Sequence, residues 1–185
     1  AGFVALQQKD FKLALSCFKI AEQNKAYSTL TPFYISQLYY FLGDVDAAIK
    51  NTEQALLKSG QYYTNQLAQL MGHLLFEQKQ YEKALPYLAN YVKSQKQVES
   101  QDLYQLSFCY FQAQQWNDAI QGFKQLANVE DSLGQNSMYL LATSYLKTNN
   151  KLGAKNAFFL CATKSQNLAQ KEIALFNYAK LSIEL

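Results

Sequence analysis

Five alanines, Ala14, Ala48, Ala84, Ala119 and Ala154, recur at separations of 34, 36, 35 and 35 residues. Each stands twelve residues after a small residue, namely Gly2, Ser36, Gly72, Ser107 and Ala142. This period is too long for a heptad or a strand register, so the 185-residue chain reads as an array of one supersecondary unit. An array has no central core. Its units pack on their neighbours, grow in one dimension and present an extended surface, which points to contact with a partner before it points to chemistry.

The composition agrees with helical units. The chain is 49% hydrophobic and 15% aromatic, enough apolar surface to fold, and it holds only 2 Pro and 7 Gly. Ala, Leu, Gln and Lys dominate over Val and Ile, which favours helix over strand. All the basic residues behind the net charge of +3 are lysines, so the bidentate fork that clamps phosphates, carboxylates and guanine edges is missing. The lysines are dispersed and form no basic groove, which argues against a nucleic-acid partner. Cys17, Cys109 and Cys161 are odd in number and unrelated in spacing, as expected of buried thiols and not of a disulfide framework or zinc site. No apolar run reaches the roughly 18 to 20 residues that span a bilayer.

Aligning the alanines divides each unit into two helical stretches joined by a short turn. A polar residue recurs in the turn as Asp10, Asp44, Gln80, Gln115 and Asn150, and Asp or Asn there can cap the second helix. A large residue follows it as Phe11, Val45, Tyr81 or Trp116, so Trp116 is expected to pin a turn. In the first helix, three residues beyond the small slot, stand Ala5, Tyr39, Leu75, Tyr110 and Tyr145. In the second, the alanine slot is followed by Phe18, Thr52, Leu88, Phe123 and Phe158, then by Ala21, Ala55, Tyr91, Leu126 and Cys161. Small residues beside bulky ones let two helices approach while the ring fills the groove alongside.

The small-x-x-Tyr stretch, the alanine and the following Phe-x-x-Ala resemble the tetratricopeptide repeat (TPR). The resemblance implies an all-α, right-handed α-solenoid of helix-turn-helix units over a single array, residues 1–185. Residues 1–24 resemble the tail of one repeat, 29–62, 65–98, 100–133 and 135–168 four complete repeats, and 172–185 the first helix of a further one. Thr52, Lys151 and Gly153 depart from the pattern, and the repeat-closing proline is missing. Pro86 instead falls within a second helix, where it is expected to cause a kink unless it lies in the first turn. Pentatricopeptide repeats are more basic and Sel1-type repeats richer in Gly, so both fit less well.

In TPR proteins a second stripe of the first helix lines the concave face and holds ligands. Carried over by slot, that stripe contains Phe33, Gln37 and Tyr40, then Gln69, His73 and Phe76, then Tyr104, Phe108 and Phe111, then Tyr139 and Thr143. The Lys, Arg and Asn clamp with which some TPR domains hold acidic tails is absent at the matching slots. Rings with amide neighbours suit an extended peptide or an amphipathic helix. His73 is the only histidine and has no companion at metal-ligand spacing, so it reads as a hydrogen-bonding groove residue.

No HExxH, Gly-rich phosphate loop or GxSxG occurs, and the acidic residues scatter over the outer faces without pairing. The expected function is therefore a non-catalytic, cofactor-free scaffold that binds a protein or peptide. A structural spacer or self-associating domain with an occupied groove is the alternative. The resemblance extends to arrays of large envelope-associated bacterial proteins, which implies a periplasmic setting. The chain also opens inside a repeat, as an excised portion would.

Overall fold

The computed structural model describes residues 1–58 and 60–185. Among the described residues every regular element is a helix, and the chain divides into two compact units, Ala1–Ser94 and Gln95–Leu185. The first unit contains α1 (Gly2–Gln7), α2 (Phe11–Glu22), α3 (Thr31–Phe41), α4 (Val45–Leu56), α5 (Thr64–Glu77) and α6 (Tyr81–Ser94). The second contains α7 (Ser100–Gln112), α8 (Trp116–Lys124), α9 (Ser132–Lys147), α10 (Lys151–Thr163) and α11 (Leu168–Glu184). Within each unit every helix packs on the next in sequence, as stacked hairpins require.

The turn inside each hairpin is the same device five times over. The amide of Asp10, Asp44, Gln80, Gln115 or Asn150 donates to the carbonyl of Ala5, Tyr39, Leu75, Tyr110 or Tyr145, at 2.8–2.9 Å. The residue just before that amide is left-handed: Lys9, Gly43, Lys79, Gln114 and Asn149 have φ between 58° and 82°. A left-handed residue that lets the next amide reach back to the last turn is a Schellman-type ending. The following side chain then opens the second helix, since Asp10 accepts from the amide of Leu13 at 3.0 Å, Asp44 from Ala47 at 3.0 Å and Asn150 from Gly153 at 2.8 Å. Gln115 makes no such side-chain cap.

Only Gly43 meets the left-handed requirement without steric cost; a Cβ in that region crowds the following carbonyl. Gln114→Gly is therefore expected to stabilise the protein by about 0.5–1 kcal/mol, and Gly43→Ala to destabilise it by a similar amount. Urea denaturation of the two variants checks both signs.

All five register alanines are 0% exposed. The small slot marks the crossing of the two helices of a hairpin. A Cβ on Gly72 would lie 2.6 Å from Cγ and Cδ2 of Leu88 in α6, and one on Gly122 in α8 would collide with the hydroxyl of Ser107 in α7. At the equivalent crossing Ser36 accepts from Asn51 Nδ2 at 2.8 Å, and the same amide donates to the Pro32 carbonyl at 3.0 Å. Thr52 is tolerated where a large apolar residue was expected because its hydroxyl donates to the Ala48 carbonyl at 2.7 Å.

Two expectations change. The α6 helix runs through Pro86 to Ser94, well beyond its first turn. The ring is exposed on the outer side, so the proline removes one hydrogen bond to the Glu82 carbonyl without ending the helix. Acidic residues are also not confined to outer faces, since Asp102 in α7 is buried. Another buried polar group, Gln135, closes the α10–α11 connection: its Oε1 accepts from the Asn167 amide at 2.7 Å and its Nε2 donates to the Asn167 carbonyl at 2.9 Å. Beside it the buried Lys164 ammonium pairs with Glu130 at 3.0 Å.

Candidate functional site

The first unit carries Phe33, Gln37 and Tyr40 on α3 and Gln69, His73 and Phe76 on α5, all half-buried. These rings belong to a larger aromatic assembly. Phe33 lies 5.5 Å from Tyr34 and 4.8 Å from Tyr63, and the Tyr34 and Tyr63 hydroxyls hydrogen-bond at 2.9 Å. Tyr34 in turn stacks on Phe18 of α2 at 5.1 Å, with Phe3 edge-on to both rings. Tyr40 donates to Glu77 Oε1 at 2.7 Å, which ties α3 to the end of α5, and Phe76 meets Tyr81 across the hairpin turn at 5.3 Å.

Electrostatics keep these phenols neutral. Burial, reinforced by the Tyr63 hydrogen bond, pushes the Tyr34 phenol up to about 12. The hydrogen bond to Glu77, with some burial, raises Tyr40 as well. Both therefore act as neutral polar groups near neutral pH.

The second unit carries Tyr104, Phe108 and Phe111 on α7 and Tyr139 and Thr143 on α9, again half-buried. Tyr104, Phe108 and Phe111 follow one another with centroid separations of 6.0 and 6.3 Å, and Phe111 abuts Trp116 edge-on at 5.3 Å. Tyr104 also reaches Phe123, the buried ring of α8, and Tyr139 reaches Phe158 of α10. A polar chain links successive first helices. Asn136 Nδ2 donates to the Tyr104 hydroxyl, and Gln170 Nε2 donates to Asn136 Oδ1 at 2.8 Å. Thr143 donates to the Tyr139 carbonyl at 3.0 Å.

Each stripe ring is thus seated against another side chain of its own unit. Tyr34, Tyr63 and Gln170, which do much of this seating, were not singled out in the sequence. Tyr63 precedes α5 and Gln170 lies in the first turn of α11, so neither shows in an alignment anchored on helix centres. The aromatic pair Tyr62–Tyr63, next to the helix start, is the one signal that could have drawn attention.

No stripe residue is Asp, Glu, Lys or Arg. Among the described residues, no group of three His, Cys, Asp or Glu side chains could hold a metal ion. Burial pushes the Cys109 thiol up to about 12 and the Cys161 thiol to about 11, the latter against the opposing pull of Lys164, so both stay protonated and are poor nucleophiles. No described helix is long and apolar enough to cross a membrane.

Residues 103–129, from α7 to just past α8, match a family model described as a tetratricopeptide repeat. That stretch is a TPR by this match, and the chain as a whole resembles TPR proteins in fold. Its fold is the TPR solenoid. The crystal structure of YrrB, described as a TPR protein with an unusual peptide-binding site, superposes with a TM-score of 0.77 at 16% identity, covering 94% of this chain and 87% of YrrB. MamA from AMB-1 gives 0.71 at 16% identity over 86% of this chain and 85% of its own. MamA from Desulfovibrio magneticus gives 0.66 at 17% identity over 86% and 88%. A comparison with curated protein sequences gave no match. At these identities the likeness speaks for the TPR fold alone.

Proposed function

We propose that this protein is a non-catalytic scaffold that binds an extended, largely uncharged peptide segment along the first-helix stripe of its units. The observation that carries this reading is the chemistry of the stripe: half-buried aromatic rings interleaved with Gln37, Gln69 and Thr143. Seated rings lose little conformational entropy when a ligand side chain covers them, and amides and hydroxyls can satisfy the backbone groups of an extended chain. The peptide-binding site attributed to YrrB supports the reading by analogy of fold.

The absence of arginine and the neutral stripe disfavour an acidic ligand, whose carboxylates would be desolvated without a partner. A displayed library of random dodecapeptides, selected against the protein, tests this. Enriched peptides are expected to be apolar at alternate positions and poor in Asp and Glu. Thr143→Lys should weaken their binding about tenfold by placing an unpaired ammonium in the contact, with the melting temperature unchanged. A library that enriches nothing, or peptides indifferent to Thr143→Lys, would count against the stripe of the second unit as the site.

A further inference from the structure

The helices α2 and α4 end on one cavity of about 590 Å³, which lies wholly within the first unit. Among the described residues its wall is polar throughout. It includes Glu22 at the end of α2, Thr29 between α2 and α3, Asn51 on α4, and Lys58 and Gln61 between α4 and α5. The Tyr62 amide donates to the Thr29 carbonyl at 3.1 Å, which ties together the two connections that frame the cavity. No residue of the peptide stripe lines it.

Gln61 marks this cavity as more than a surface groove. It is only 9% exposed, and its Oε1 has no hydrogen-bond partner. An unpaired buried acceptor destabilises a fold, so a cavity wall that keeps one points to a ligand that brings a donor. Asn51 adds a second acceptor. Its Nδ2 donates to the Pro32 carbonyl at 3.0 Å and to the Ser36 hydroxyl at 2.8 Å, and because a carbonyl can only accept, the amide is fixed with its Oδ1 left over. Charge narrows the ligand further. Glu22 and Lys58 carry opposite charges in the same wall, yet neither forms an ion pair. The wall thus offers a carboxylate and two amide oxygens to a cation with several N–H groups, and an ammonium to an anion. The C-terminal ends of α2 and α4 favour the cation at the same place. With no net charge and no apolar side chain, the wall suits a small zwitterion that is polar throughout.

We infer that this cavity is a binding site for a polar α-amino acid, its ammonium received by Glu22, Gln61 and Asn51 and its carboxylate by Lys58. Three N–H donors meet three acceptors, and each unpaired charge of the wall gains a partner. A ligand of this size is expected to bind in the millimolar range.

Titration of the 185-residue chain with L-glutamine up to about 20 mM, followed by amide chemical shifts, is the test. The expected result is a saturable shift at the Gln61 side-chain amide and at the backbone amides of Thr29 and Asn51. Glycine betaine, which carries both charges but no N–H, should bind at least about tenfold more weakly, because it gives Gln61 and Asn51 nothing to accept. Glu22→Gln and Lys58→Met should each weaken glutamine binding about tenfold. Gln61→Met should abolish it without lowering the melting temperature, since the change removes an unpaired buried acceptor. The absence of saturable shifts would overturn the proposal. So would betaine binding as well as glutamine, or binding indifferent to either charge variant.

Discussion

Phe123→Ala is expected to lower stability by about 4 kcal/mol. Phe123 is fully buried in α8, one residue beyond Gly122, where the helices of the hairpin are in close contact. It lies in the same cluster as Leu126, Met138 and Leu141, and its ring also underlies Tyr104. Removing it leaves a cavity that the surrounding helices cannot close, because the α7–α8 approach is already set by the Gly122–Ser107 contact. Each repeat of an array is stabilised by its neighbours alone, so the damage should remain local. Urea unfolding followed by circular dichroism should therefore show two transitions, with helices of residues 95–185 lost at lower urea than those of 1–94. A single unshifted transition would mean that Phe123 is not a packing residue.

Gly72→Leu is expected to lower stability by about 3 kcal/mol through overpacking. Even the first added carbon would come within 2.6 Å of Leu88, which is fully buried and has no room to withdraw. Combining Gly72→Leu with Leu88→Ala should recover part of the loss, because the second change vacates the volume that the first fills. Thermal melts of the two single variants and the double variant check this. An unchanged melting temperature for Gly72→Leu would refute the crossing assigned to that glycine.

The packing was legible in the sequence because packing is what the period records. Ala14, Ala48, Ala84, Ala119 and Ala154 are small where two helices leave no space, and Phe18, Leu88, Phe123 and Phe158 are large where they leave a gap. The turns were half legible. Asp10, Asp44 and Asn150 announced their caps, but the left-handed residue before each did not, since four of the five are Lys, Gln or Asn where glycine would be the signal. Their conformation is imposed by the hairpin and not by local preference. The stripe residues could be assigned to a helix face by spacing, yet their degree of burial could not. Whether Tyr104 or Phe33 stands clear or leans on a neighbour depends on Phe123, Asn136 and Tyr63, which approach from other helices.

The central claim is that the first-helix stripe receives the ligand. Amide chemical-shift mapping with a library-selected dodecapeptide tests it most directly. Perturbations are predicted at Phe33, Gln37 and Tyr40 on α3, or at Phe108, Phe111 and Thr143 on α7 and α9, with α4, α6, α8 and α10 unaffected on their outer faces. Perturbations confined to those second helices or to α11 would contradict the account.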